Sequence, residues 1–105
     1  MTNGVIEYIR YEFTPDGTDD FEAAYRAVGR FLSGSPHCRG WELARGVEEA
    51  GRFVVRIEWD SIEGHVQGFR GSPEFAQFFG TLSAFAGQRL EMGHYRAIGG
   101  SQAAP

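Results

Sequence analysis

Alternation dominates the first ordered stretch of the chain. In VIEYIRYEF, Val5, Ile9, Tyr11 and Phe13 fall on one side of a pleat, and the β-branched and aromatic content favours a strand. After the turn residues TPDG the period changes. Phe21, Ala24, Tyr25, Val28 and Leu32 recur at helical spacing, with Thr18 as a candidate cap and Asp19, Asp20 and Glu22 where the positive end of a helix favours acids. Gly34 and Pro36 end that helix. In WELARGVEEAGRFVVRIEW, Trp41, Leu43 and Val47 alternate, as do Phe53, Val55, Ile57 and Trp59, which predicts a hairpin turning near Ala50 and Gly51. Asp60 or Ser61 caps the next helix. Ser72 before Pro73 caps another, whose apolar stripe is Phe75, Phe78, Phe79 and Leu82. RLEMGHYRAI supplies a fourth strand. The order strand, helix, strand, strand, helical segment, strand predicts an α+β fold of ferredoxin-like type, an antiparallel sheet with helices on one face.

Helices on one face leave the other open. That face carries Ile6, Tyr8, Arg10, Glu12, Glu42, Val54, Arg56 and Glu58. Its Arg and Glu residues can pair across strands on a solvated face, whereas its aromatic and aliphatic members favour a homodimer that stacks two sheets.

Composition narrows the function classes. The 105 residues suit a single domain, with its core over about 5–98 and a loose tail, GGSQAAP, over 99–105. Aromatics reach 14%, so the core is expected to be rich in rings. The net charge is -4 and the ten basic residues, all Arg, are scattered, which argues against nucleic acid as a partner. Cys38 is the one cysteine and cannot form an internal disulfide. With no leader pattern and no apolar run of roughly 20 residues, a cytoplasmic protein without membrane contact is expected.

Candidate chemistry centres on His65. Ile62, His65, Val66 and Phe69 share one helix face, so His65 should point inward. Burial would keep its imidazole neutral, as a general base requires, although a core histidine held by a backbone carbonyl would satisfy the same pattern. His94 and Tyr95 are adjacent on strand four and must face opposite sides of the sheet. Either is a candidate to orient a substrate, with Tyr95 able to donate to a developing phenolate. Arg56 is a candidate anion binder if it lines a cavity, but alternation sets it with Glu58. Tyr11, Trp41, Trp59, Phe69, Phe75 and Phe79, with Phe78, can wall a flat apolar ligand or simply fill the core. His37, Cys38, His65, Glu91 and His94 offer metal-ligand atoms, but neighbours in a strand point apart and no paired-ligand spacing is present, so no metal is expected.

The layout from Val5 to Ile98, with EWDSIEGHVQGFRGSPEF and the closing EMGHY, resembles the antibiotic biosynthesis monooxygenase-like family of dimeric α+β barrels. The resemblance rests chiefly on Trp59 at a strand end, a capped helix, and the Ser72, Pro73, Phe75 start of another. It implies a homodimer with a small-molecule pocket in each subunit, between sheet and helices. In one branch it implies a monooxygenase that oxidises an electron-rich aromatic or quinol with molecular oxygen and no cofactor, the substrate supplying the electrons. There His65 would take the proton and Tyr95 or His94 would hold the oxyanion, with Trp59, Tyr95 and Arg56 as counterparts of ligand-contacting Trp, Tyr and Arg. The family's strand-one Asn has no counterpart, since the only Asn is Asn3. In the haem-degrading branch a Trp and an iron-binding His are expected at positions here occupied by Phe69 and Phe79, and phenylalanine cannot ligate iron. The alternative is a non-catalytic dimeric binding or partner module that keeps the pocket without the reaction.

Overall fold

The computed structural model describes residues 4–101. The expected ends at 1–3 and 102–105 lie outside the described residues. Four strands, β1 (Val5–Glu12), β2 (Cys38–Arg45), β3 (Arg52–Trp59) and β4 (Arg89–Tyr95), form one antiparallel sheet in the order β2-β3-β1-β4. Helices α1 (Thr18–Ser33) and α2 (Pro73–Leu82) pack on one face, as the order of elements predicts for a ferredoxin-like α+β fold.

Pleating sorts each central strand into two sides. Val5, Glu7, Ile9 and Tyr11 of β1 and Phe53, Val55, Ile57 and Trp59 of β3 are buried beneath the helices, while the residues between them are half-buried or exposed. Phe21, Tyr25, Val28 and Leu32 of α1 meet them from above, the stripe read from the helical spacing. Gly29 completes that face: a Cβ there would overlap the indole of Trp41, so only glycine lets α1 approach β2 this closely.

Several local expectations are corrected. Val47 lies beyond the end of β2 and is exposed, because the strand stops at Arg45, where Gly46 N–H bonds to Arg52 O and the chain turns. Thr18 is the first residue of α1, and its hydroxyl donates to Pro15 O instead of capping the helix. Ser61 does cap its segment, accepting from Gly64 N–H at 2.8 Å.

The helical turn after β3 departs most from expectation. Gly64–Phe69 is a π-helix, marked by Arg70 N–H reaching His65 O five residues back. The wider turn rotates Ile62 and Val66 outward, where both are exposed, and keeps His65 and Phe69 inside. The inward histidine therefore stands, but on a different helical period from the one that suggested it.

Candidate active site

A cavity of about 400 Å³ opens between the sheet and α2. Tyr11, Trp59, Phe69, Phe75, Phe78 and Phe79 line it, together with Tyr25 from α1. Arg70 and Arg89 also reach it. Its polar edge is made by His65 and by a residue absent from the sequence reading, Glu7.

The β1 alternation puts Glu7 between Val5 and Ile9 on the helix-covered face. Only 2% of it is exposed, and a carboxylate at that depth requires partners. It has two. Trp59 Nε1–H donates to Glu7 Oε1 at 3.0 Å, and His65 Nε2 lies 3.5 Å from the same oxygen. Glu7 was legible in principle: Val5, Ile9 and Tyr11 define the core side, and position 7 must share it.

His94 completes the group. In the β1–β4 pairing His94 stands opposite Glu7, so both side chains project to the helix side of the sheet. His94 Nε2 and His65 Nδ1 are 2.7 Å apart, sharing one hydrogen. His65 therefore sits in the middle of a chain from the cavity-facing Glu7 to the half-buried His94.

Burial acts in opposite directions on Glu7 and His65. Burial lowers the His65 pKa to about 3, with Arg70 and His94 adding to the effect, and keeps the ring neutral. Burial also raises the Glu7 carboxyl above its ordinary value, against the Trp59 hydrogen bond, which lowers it. A neutral imidazole has one N–H. With Glu7 ionised, His65 can present Nε2–H to the carboxylate and accept from His94 at Nδ1. With Glu7 protonated, Nε2 becomes the acceptor and Nδ1–H faces His94. The two arrangements differ by protons shifted along the chain.

The remaining site candidates lie elsewhere. Tyr95 is corrected to the opposite face, where it packs edge-on against Tyr8 and donates to Glu91 Oε1 at 3.2 Å, because His94 takes the cavity side and strand neighbours must diverge. Arg56 is also on that face and donates to Glu58 Oε1 at 2.9 Å, the pairing that its alternation with Glu58 implied. Trp41 does not line the cavity; its ring packs by Gly29 and Tyr25, and its Nε1–H donates to Ser33 Oγ. His37 pairs with Asp60 at 3.0 Å, and neither lines the cavity.

By donor type, Glu7, His65 and His94 could also hold a divalent metal, since one ligand atom from each lies within 4.8 Å of the others. That set keeps His65 and His94 from those weighed on sequence, leaves out His37 and Cys38, and has Glu7 where Glu91, which pairs with Tyr95 on the other face, had been considered. In the present arrangement each member already has a hydrogen-bonding or ion-pairing partner within the group.

Comparison with known proteins extends these observations. The chain is 32% identical over 66 residues to YczJ, an uncharacterized protein of Bacillus subtilis strain 168, an overlap of 63% of this chain and 70% of that one. Its fold is similar to that of SnoaB, a cofactor-independent oxygenase from Streptomyces nogalater, with a TM-score of 0.75 at 18% identity over 98% of both chains. It is similar as well to Rv0793 from Mycobacterium tuberculosis, with a TM-score of 0.76 at 16% identity over 94% of this chain and 99% of that one. The model of the antibiotic biosynthesis monooxygenase family matches residues 4–81. With most of its length matched by that model, the chain belongs to the antibiotic biosynthesis monooxygenase family.

Proposed function

We propose that this protein is a cofactor-independent monooxygenase that uses molecular oxygen to oxidise a small electron-rich aromatic, a phenol, quinol or anthrone. One observation carries the reading: Glu7 and His65, 3.5 Å apart, stand at the polar edge of a cavity walled by aromatic rings, and His65 continues at 2.7 Å to His94 behind it. The fold shared with SnoaB, a cofactor-independent oxygenase, supports it.

For an anthrone-type methylene the reaction is R₂CH₂ + O₂ → R₂C=O + H₂O. Glu7 removes one proton, and the electron pair left behind is delocalised into the rings. That carbanion reduces dioxygen and forms the C–O bond. Loss of the second C–H proton with cleavage of the O–O bond leaves the ketone and water. Carbon gives up four electrons and dioxygen accepts four, so no external reductant is needed. The raised pKa of Glu7 makes it the stronger base, while His65, with a pKa of about 3, is a poor resting place for a proton and serves as the conduit to His94. The rings of Trp59, Phe69, Phe75 and Phe79 hold the substrate and exclude water.

The reading includes a homodimer and a cytoplasmic location. The open sheet face carries half-buried Ile6, Tyr8 and Val54 beside exposed Tyr95. These apolar groups support pairing of two sheets. No helix among the described residues is long and apolar enough to cross a membrane.

Oxygen uptake with anthrones, naphthols and hydroquinones tests the reading, comparing wild type with Glu7→Gln and His65→Ala. Uptake by wild type that is lost in both variants is expected. A folded protein that binds members of the panel without consuming oxygen would overturn catalysis and leave a ligand-binding module of the same fold, for which the Glu7, Trp59, His65 and His94 network would be a structural anchor.

A further inference from the structure

Outside the cavity, a second titratable pair packs on the turn that carries His65. His37 Nδ1 lies 3.0 Å from Asp60 Oδ2, and Asp60 N–H donates to His37 O at 2.8 Å. The chain just before β2 is thus tied to the chain just after β3 through both backbone and side chains. The hydrogen bond from His37 holds the Asp60 carboxyl below its ordinary value, so the carboxylate accepts and Nδ1–H donates. A Cβ at Gly64 would overlap Asp60 Oδ1, and one at Gly68 would overlap the His37 ring, so a side chain at either position would push the pair away. Two glycines within the six residues Gly64–Phe69 disfavour a helix, and room for this pair gives them a purpose.

We infer that His37 and Asp60 are positioning residues: they clamp the π-turn from outside the cavity and so hold His65 between Glu7 and His94. Their part in turnover rests on the proposed oxygenase reading, whereas their hold on the imidazole does not. Gly64 directly precedes His65 and Gly68 directly precedes Phe69, the two side chains that the turn directs inward. A π-turn is rare, so contacts outside it must favour it over an ordinary helical turn, in which His65 would take a different angle to Phe69. With 37% and 33% of the two side chains exposed, solvent screens most of their attraction, so the pair contributes little to global stability. What it fixes is local.

NMR of isotopically labelled histidine rings tests this. In wild type the hydrogen shared by His65 Nδ1 and His94 Nε2 should give a scalar coupling between the two nitrogens. In Asp60→Ala that coupling should disappear, and the Arg70 amide, which closes the π-turn on His65 O, should exchange about tenfold faster at a melting temperature close to that of wild type. Asp60→Asn keeps an oxygen for the His37 N–H and should restore both signals. Gly68→Ala displaces the His37 ring without altering the pair's own polar groups and should repeat the losses, which covers an Asp60→Ala chain that does not fold. No coupling in wild type, a coupling that survives in folded Asp60→Ala or in Gly68→Ala, or an Asp60→Asn protein as impaired as Asp60→Ala would each overturn the clamp. Oxygen uptake in the same samples separates the two readings. Asp60→Ala should lower kcat about tenfold with KM within about twofold of wild type. Equal uptake by wild type and Asp60→Ala would overturn the positioning role and leave the oxygenase standing, and the spectral losses in a protein without uptake would do the reverse.

Discussion

Trp59 lies flat against His65, with ring centroids 4.4 Å apart and planes 10° from parallel, and its Nε1–H donates to Glu7 at 3.0 Å. One indole thus fixes the plane of the imidazole and the position of the carboxylate. Trp59 can do this because it ends β3 between two neighbours, opposite Val5 on β1 and Cys38 on β2, and is almost wholly buried. Its N–H has a partner, as a buried indole requires.

Trp59→Phe keeps an aromatic ring and removes the donor. Because the Trp59 hydrogen bond lowers the Glu7 pKa, its loss should raise that pKa further. The acid limb of the pH–rate profile should then move to higher pH, with a stability loss of about 1 to 3 kcal/mol. An unmoved limb would mean that Glu7 is not the base.

Glu7→Gln retains an oxygen for the Trp59 N–H but cannot take a proton. Turnover should fall about a hundredfold or more, the usual share of a general base. Stability should move the other way. A carboxyl whose folded pKa is raised contributes stability below its unfolded pKa and loses it as pH rises through the folded value, so at neutral pH the variant should melt above wild type. Thermal melts at pH 7 to 8 check this.

The pH dependence of stability should identify His65. Its folded pKa of about 3 lies below the unfolded value of 6.5, so the unfolded chain binds the extra proton first. The neutral ring is fully accommodated above pH 6.5, and stability falls as pH drops from there towards 3, by about 1 kcal/mol per unit. In denaturant titrations between pH 7 and 4.5, His65→Gln should show a flatter dependence than wild type. Parallel curves would mean that the imidazole is not held neutral.

Chelation distinguishes proton transfer from metal chemistry at the same three residues. Protein treated with a strong chelator should keep its full rate of oxygen uptake. Added zinc should inhibit by occupying Glu7, His65 and His94, whose ligand atoms lie within 4.8 Å of one another. Activity that disappears on chelation and returns with one added metal would convert the group into a metal centre.

Much of this was legible along the chain. Period-two alternation in β1 and β3 and the helical stripe of α1 named the core side of each element, because side-chain direction follows backbone period. The same rule puts Glu7 on the core side of β1, but a carboxylate among apolar neighbours was passed over until the structure showed its partners. The inward direction of His65 also followed from spacing, although the π-turn that delivers it, and that turns Ile62 and Val66 outward, was not visible in a pattern read at the ordinary helical period.

What the sequence determined by itself was which residues share a face. Which faces meet depended on pairing and packing between segments far apart in the chain. Alternation required His94 and Tyr95 to diverge without saying which would turn towards the helices. That choice came from β4 pairing with β1 so that His94 stands opposite Glu7, with a shift of register near Arg10 and Tyr11 farther along. Arg56 and Trp41 were separated from the cavity in the same way, one by the phase of β3 and the other by the position of β2 at the sheet edge. The physical reason is that strand register is set by hydrogen bonds and packing between segments far apart in the chain, and a shift of one residue reverses every side chain.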